Sequence, residues 1–265
     1  MKLIACLLSI LIPFSTPALT HHCAGHGRSD PTGLRWYVKR NPDHVTPELP
    51  SEFSRLTEYD GYYADTACGE AEKVIYLTFD AGYENGNVEK ILNTLKEKEV
   101  PGAFFILSHF LTANPVLVER MIDEGHLVCN HTARHRNMAK SSDEEMKREL
   151  TDLETLFRER TGREIAKYYR PPEGSFKWDN LAVAKELGYA TVFWSFAYAD
   201  WDNQRQPSPD AALKKIRDNL HSGAVVLLHP TSATNAKIMP ELIDELRAQG
   251  YRFGTLDELT GRNGK

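Results

Sequence analysis

Six side chains that can move protons or bind a metal each follow a short apolar run of this sequence. They are Asp80, His131, His135, Arg170, Asp200 and His229. The apolar runs are predicted to be β-strands, and amphipathic stretches between them are predicted to be helices. In a barrel of repeating β/α units, all strands end at one mouth, where residues distant in sequence converge. Carboxylates, imidazoles and a guanidinium at one mouth indicate metal-assisted hydrolysis.

The motif Thr78-Phe-Asp80-Ala-Gly82 places a carboxylate at the end of a buried strand, and Gly82 permits a sharp turn. A carboxylate at this position can bind a metal or act as a general base. The alternative is a helix cap, but the next predicted helix begins only at Asn87. The pattern therefore favours a functional role for Asp80.

The second motif is His131-Thr-Ala-Arg-His135. Its i, i+4 spacing predicts two imidazoles on one side of a helical turn, within reach of one divalent ion. Such pairs also occur by chance on surface helices, but this one follows a strand end. Neutral imidazole suits zinc, cobalt, nickel or iron better than magnesium or calcium.

The third motif, Arg170-Pro-Pro-Glu173-Gly174, has two prolines that favour an extended backbone. Arg170 can hold a carboxylate through two parallel hydrogen bonds, and the N–H of Glu173 can point at an oxyanion. The alternative is a rigid loop with a structural ion pair.

The last two motifs are Asp200-Trp201 and the apolar run 225–228 followed by His229. Trp201 offers an aromatic platform for a sugar ring. His229 at a barrel mouth can donate a proton to a leaving group, although a histidine after a buried run is often a hydrogen-bonded core residue.

From residue 73 onward, seven predicted strands alternate with six predicted helices, among them a strand over 191–195 and a helix over 240–249. Strict alternation predicts parallel strands joined by right-handed crossovers, hence an α/β fold. A closed or nearly closed barrel of about seven units is the favoured architecture, and an open doubly wound sheet is the alternative.

The N-terminal residues differ from the rest. Lys2 and the apolar stretch 3–14 are typical of a signal peptide, predicted over residues 1–20, and that stretch is too short to span a bilayer. We therefore expect a secreted protein that contacts a membrane only if the signal is uncleaved. Residues 21–72 are predicted to be an extension. A net charge of −5 without a basic run indicates no nucleic-acid partner.

Cysteine usage leaves the redox chemistry open. Removal of the signal would leave Cys23, Cys68 and Cys129, and this odd number argues against a disulfide framework. A bridge between Cys23 and Cys68 remains an open alternative.

Taken in order, the five motifs resemble those of polysaccharide deacetylases with a NodB homology domain (carbohydrate esterase family 4). The resemblance covers about residues 73–256, and we place this domain at 73–260. It implies a distorted (β/α)7 barrel with an N-terminal extension, and metal-dependent removal of acetyl groups from sugars. Stretches such as YLTFDAGYENGN and LLHPTSATNA resemble the branch that de-N-acetylates peptide-free muramic acid, on the way to muramic δ-lactam in spore cortex. The resemblance thus implies peptidoglycan as partner, at the cell wall or in the forespore intermembrane space, and we expect a monomer.

The resemblance also implies a role for each site residue. Asp80 would be the base that activates water, oriented by Arg170, and His229 would protonate the leaving amine. A divalent metal, with zinc expected first, would be held by His131 and His135. The Glu173 N–H and the metal would stabilise the tetrahedral oxyanion. We further predict that Glu173, Asp200 and Trp201 bind the substrate.

This sequence departs from the family pattern at three positions. Ala81 replaces the second Asp of T-F-D-D-G, a metal ligand in the family, which predicts weak or water-completed metal binding. Ala197 replaces the first Asp of D-x-x-D-W, which leaves Asp200 as the candidate partner of His229. Glu173 stands where Tyr or Arg is more usual. Two alternative functions stay open: a chitooligosaccharide or xylan deacetylase, and a non-catalytic glycan-binding protein.

Overall fold

A computed structural model describes residues 33–40, 43–69 and 72–262 of the protein. The predicted signal segment and Cys23 lie outside the described residues. The strands are β1 (Leu34–Arg35), β2 (Gly61–Tyr62), β3 (Val74–Ala81), β4 (Ala103–Ile106), β5 (Leu127–Asn130), β6 (Ala166–Tyr169), β7 (Ser175–Phe176), β8 (Ala190–Val192), β9 (Phe196–Ala197), β10 (Ala224–Leu228) and β11 (Arg252–Phe253). The α-helices are α1 (Asn87–Glu97), α2 (Ser108–Ala113), α3 (Pro115–Asp123), α4 (Asp143–Thr161), α5 (Trp178–Glu186), α6 (Pro209–Arg217), α7 (Ala233–Ala248) and α8 (Leu256–Thr260).

The main sheet is parallel and curled. Its strands follow the order β2-β8-β6-β5-β4-β3-β10-β9, and β11 pairs with β3 outside this path. In the described part of the chain, the end strands β2 and β9 do not pair with each other, so the barrel stays open between them. This architecture confirms the prediction of a distorted α/β barrel.

Strand β3 lies inside the sheet, between β4 and β10, and illustrates why the fold is stable. Its residues 74–79 are all buried, because the interior covers one face and helices cover the other. Phe79 stacks on Phe104 of β4 at 4.8 Å between ring centroids. The apolar face of α1 belongs to the same core, with Ile91 and Leu92 fully buried.

Two predicted elements are wrong in their bounds. The helix predicted over 240–249 begins at Ala233, because the Ser232 side chain accepts a hydrogen bond from Asn235 N and caps it there. The prediction began at Pro240 because proline favours the first helical turn. The strand predicted over 191–195 ends at Val192 in β8, and residues 193–195 lie between β8 and β9.

The described part of the N-terminal extension packs onto the barrel. Strand β1 pairs antiparallel with β7, and β2 joins the main sheet beside β8. The boundary predicted near residue 73 therefore marks a change of sequence pattern, while the sheet itself includes residues on both sides of it. Among the described residues, none of the helices has the length and apolar character needed to cross a membrane.

Candidate active site

A cleft of about 930 Å³ opens at the carboxyl ends of the strands. Six of the eight predicted site residues line it: Asp80, His131, His135, Glu173, Trp201 and His229. Arg170 and Asp200 lie beneath them and are fully buried. All eight predicted residues thus belong to one region. Six of them line the cleft, and the other two support these from below.

Arg170 supports Asp80 from below. Its Nη1 donates to Asp80 Oδ1 at 2.8 Å, and its Nη2 donates to Thr78 Oγ1 at 2.9 Å. Its Nε donates to the carbonyl of Val192 at 2.9 Å, and its guanidinium lies 4.1 Å from the centroid of the Phe105 ring. The guanidinium is held from several directions, so it fixes the orientation of the Asp80 carboxylate.

The Asp80 carboxylate is only 10% exposed. Burial raises its pKa, but electrostatic interactions with His131, Arg170 and His229, together with the Arg170 hydrogen bond, outweigh burial and lower the pKa below its usual value. Asp80 is therefore ionised at neutral pH and can accept a proton.

His131 presents one ring nitrogen to Asp80. Its Nδ1 lies 2.9 Å from the carbonyl of Arg170, which can only accept a hydrogen bond, so Nδ1 carries the proton. Its Nε2 lies 3.5 Å from Asp80 Oδ2. Burial is the largest cause that lowers the His131 pKa, to about 4, which keeps the ring neutral. A neutral imidazole held by a backbone carbonyl is typical of a histidine that ligates a metal.

The prediction that His131 and His135 share a helical turn is wrong. Residues 131–137 form an irregular loop after β5. Thr132 and His135 have positive φ angles of 75° and 56°, and Thr132 Oγ1 accepts a hydrogen bond from His135 N at 3.0 Å. The turn still brings the two rings together, 5.0 Å apart at their centroids.

A buried carboxylate that sequence reasoning missed anchors this loop. Glu149 of α4 accepts hydrogen bonds from Arg134 N and Arg134 Nη1, both at 2.8 Å, although its residue is only 1% exposed. It lies on the same helix face as Met146 and Leu153, which are buried. A charged residue on an apolar helix face was the signal that could have revealed it.

The site offers two imidazole donors to a transition metal. His131 and His135 supply two nitrogen donors, but the described residues contain no cluster of three or more His, Cys, Asp or Glu side chains that could hold an ion. Catalytic zinc sites usually have three protein ligands. Ala81 supplies a methyl group where the family pattern has a carboxylate, and it packs in the apolar core.

Asp200 supports His229 on the other side of the cleft. Asp200 Oδ1 accepts from His229 Nδ1 at 2.7 Å, and Asp200 Oδ2 accepts from His229 N at 2.8 Å and from Asn235 Nδ2 at 2.7 Å. The prediction that Asp200 binds substrate is corrected, because its side chain is fully buried. Burial lowers the pKa of His229, but the hydrogen bond and charge of Asp200 prevail and raise it. His229 can therefore carry a proton, with Nε2 directed away from Asp200.

Trp201 and Glu173 both line the cleft. Trp201 is 60% exposed, and its ring centroid lies 6.1 Å from that of His229. Glu173 has a φ of 59° and accepts a hydrogen bond from Asn137 Nδ2 at 3.0 Å. Gly174 follows with a φ of 64°, and a Cβ there would meet the Trp194 ring at 2.9 Å. Glycine is required at this turn, which presents Glu173 to the cleft.

Comparison with known proteins assigns the family. The family model for polysaccharide deacetylases matches residues 69–192 of the sequence. The peptidoglycan-N-acetylmuramic acid deacetylase PdaA of Bacillus subtilis is 38% identical over 227 residues, which cover 85% of this chain and 85% of PdaA. The chain therefore belongs to the polysaccharide deacetylase family.

Solved structures agree with this assignment. The structure of B. subtilis PdaA, a family 4 carbohydrate esterase, matches with a TM-score of 0.82 and 36% identity, over 88% of this chain and 98% of the other. Wild-type BA3943 of Bacillus anthracis, a CE4 family pseudoenzyme, matches with a TM-score of 0.68 and 26% identity, over 76% of this chain and 68% of the other. The fold thus occurs both in a named deacetylase and in a pseudoenzyme.

Proposed function

We propose that this protein is an exported, metal-assisted de-N-acetylase that acts on peptide-free N-acetylmuramic acid residues of peptidoglycan. One observation carries the proposal: an ionised carboxylate and a protonatable imidazole face the same cleft, each held by its own buried partner. Strands β3 and β10 are adjacent with Phe79 opposite Leu228, so Asp80 and His229 follow as neighbours. The similarity to PdaA supports the choice of substrate.

The two groups suit the two halves of amide hydrolysis. As a water oxygen bonds to the acetyl carbonyl carbon, Asp80 accepts the proton that this water loses. When the C–N bond then breaks, His229 donates its Nε2 proton to the departing nitrogen, which yields acetate and a free amine. Arg170 and Asp200 touch neither reacting atom and position the base and the acid.

A divalent ion held by His131 and His135 would supply Lewis acidity toward the carbonyl oxygen and would lower the pKa of water. His131 is prepared for this role by its hydrogen bond to the Arg170 carbonyl. Because the described residues offer no third ligand beside these two imidazoles, binding is expected to be weak and to depend on the ion concentration. Dialysis against a chelator followed by calorimetric titration with Zn²⁺ measures this affinity independently of turnover.

The proposal is tested by acetate release from three substrates: amidase-treated peptidoglycan, untreated peptidoglycan and chitooligosaccharide, each with and without added Zn²⁺. Release from the amidase-treated sample alone supports the proposal, and Asp80→Asn should abolish that release. Release from chitooligosaccharide alone would instead assign a general oligosaccharide deacetylase.

A second candidate is a non-catalytic glycan-binding protein, which Ala81 and the similarity to a pseudoenzyme favour. A binding protein needs neither a general base nor a paired acid, so the chemistry of Asp80 and His229 would have no use in it. Glycan affinity that is unchanged in Asp80→Ala, together with no turnover in the unsubstituted protein, would support this candidate.

Export and a role in spore cortex are part of the same proposal. Export is supported by the signal-like residues 1–20, and the cortex role by the stretches similar to the muramic acid branch. Detection of a mature form in the extracytoplasmic fraction, and loss of muramic δ-lactam in spores of a deletion strain, would test both.

A further inference from the structure

One wall of the cleft comes from a segment outside the residues that the family model matches. Residues 35–38 and Arg40 line the cleft, whereas the match begins at residue 69. Trp36 anchors this segment. Its backbone N–H donates to the Gly174 carbonyl at 2.8 Å, and its indole Nε1 donates to the Trp194 carbonyl at 2.9 Å. Its ring also stacks on Phe193 with 4.4 Å between centroids. The segment is therefore a packed part of the site.

Arg40 lies at the end of this segment, on the side of His229. Its Nη2 donates to the carbonyl of Ala197, and its guanidinium carbon lies 5.5 Å from the centroid of the Phe196 ring. Ala197 pairs with Leu227, two residues before His229. Lys215 of α6 lines the same cleft.

The cationic side chains that line the cleft are not paired with its carboxylates. Arg35, Arg40 and Lys215 have no ion-pair partner among the described residues, although the whole chain carries a net charge of −5. The two carboxylates that line the cleft are already engaged: Asp80 bonds to Arg170, and Glu173 accepts from Asn137. Unpaired positive charge in a cleft attracts an anionic ligand.

We propose that Arg40, assisted by Lys215, receives an acidic substituent of the sugar that carries the scissile acetamide group. This inference rests on the proposed function and names the feature that selects its substrate. In muramic acid the lactyl ether is on C3, next to the acetamide on C2, so its carboxylate enters the same cleft. A peptide attached through an amide bond removes that negative charge. Arginine suits the recognition because its guanidinium matches the geometry of a carboxylate.

The experiment compares two forms of one substrate. Amidase-treated glycan strands carry free lactyl carboxylates, and coupling these to methylamine gives a neutral form with the same acetamide. Arg40→Gln and Lys215→Gln are assayed on both, with Lys39→Gln and Lys214→Gln as matched controls from neighbouring exposed positions that do not line the cleft. Lys215 has no side-chain hydrogen bond or ion pair within the described residues, so its variant tests the charge without disturbing the fold.

We expect Arg40→Gln to lower kcat/KM about tenfold more on the free carboxylate than on the neutral form, the size expected for one charge-assisted hydrogen bond. Lys215→Gln should shift the preference in the same direction. Equal loss on both forms, or no loss on either, would overturn the inference while the unsubstituted protein still releases acetate. If that protein releases no acetate from either form, the proposed function itself fails.

Discussion

The Asp200 carboxylate lies directly beneath His229, with 2.7 Å between Asp200 Oδ1 and His229 Nδ1. This pair is completed by Asn235, whose Nδ2 donates to Asp200 Oδ2, and Tyr198, whose hydroxyl donates to Asn235. The buried chain of hydrogen bonds fixes the imidazole and keeps Nε2 available to the cleft. Position 197, where the family pattern has an aspartate, is alanine in this chain, and Asp200 is the partner of His229.

Asp200→Asn should change the pH dependence of turnover. Asp200 raises the pKa of His229 against the effect of burial, so its neutralisation lets that pKa fall. A general acid works while protonated, and the rate falls as the pH rises through its pKa. The alkaline limb of kcat should therefore move to lower pH, with about a tenfold loss of kcat at neutral pH.

The measurement is a pH–rate profile together with NMR titration of the His229 ring. Asp202→Asn is the matched control, because Asp202 lies two residues away and is exposed. An alkaline limb that stays in place in Asp200→Asn would contradict the proposed role of the pair.

Arg170→Gln should reduce both stability and activity. It removes a fully buried guanidinium and leaves Asp80 and the carbonyl of Val192 without their donors. The free energy of unfolding should fall by about 3 kcal/mol, measured by urea denaturation. The Asp80 pKa should rise, so the acid limb of kcat/KM should move to higher pH. Arg170→Lys should not restore activity, because lysine lacks the planar fork.

Ala81→Asp should strengthen metal binding. The family pattern has a carboxylate at this position, whereas the described part of the chain offers His131 and His135 and no third protein ligand beside them. We expect the zinc dissociation constant to fall about tenfold or more. Residues that only hydrogen-bond to metal ligands already change metal affinity by this factor. Calorimetric titration measures it, and His135→Ala should abolish binding. An unchanged constant in Ala81→Asp would show that strand β3 directs this side chain away from the two histidines.

Glu149→Gln should loosen the loop that carries the two histidines. Glu149 accepts from Arg134 N and Arg134 Nη1 within an otherwise apolar helix face. Loop residues with positive φ persist only when their surroundings hold them. We expect zinc affinity to fall about tenfold. Asp152→Asn is the control, because Asp152 bonds the same arginine from an exposed position. Equal effects of the two substitutions would contradict a positioning role for Glu149.

The sequence by itself determined the class of fold and the members of the site. Strict alternation of apolar runs with amphipathic helices is a local property of the chain, so parallel strands and a common mouth followed from it. Because polar residues at strand ends must converge at that mouth, Asp80, His131, Arg170 and His229 could be named in advance.

Only the tertiary structure decided the depth of each residue and its partners. Asp200 and Arg170 proved to be buried supports, and Glu149 emerged as an anchor, since their contacts join residues between 15 and 90 positions apart. The sequence also did not reveal that β2 pairs with β8 in the main sheet or that Trp36 packs against the barrel. The local sequence of a short extended segment does not specify which edge or loop it will pair with, because that choice depends on surfaces assembled from distant parts of the chain.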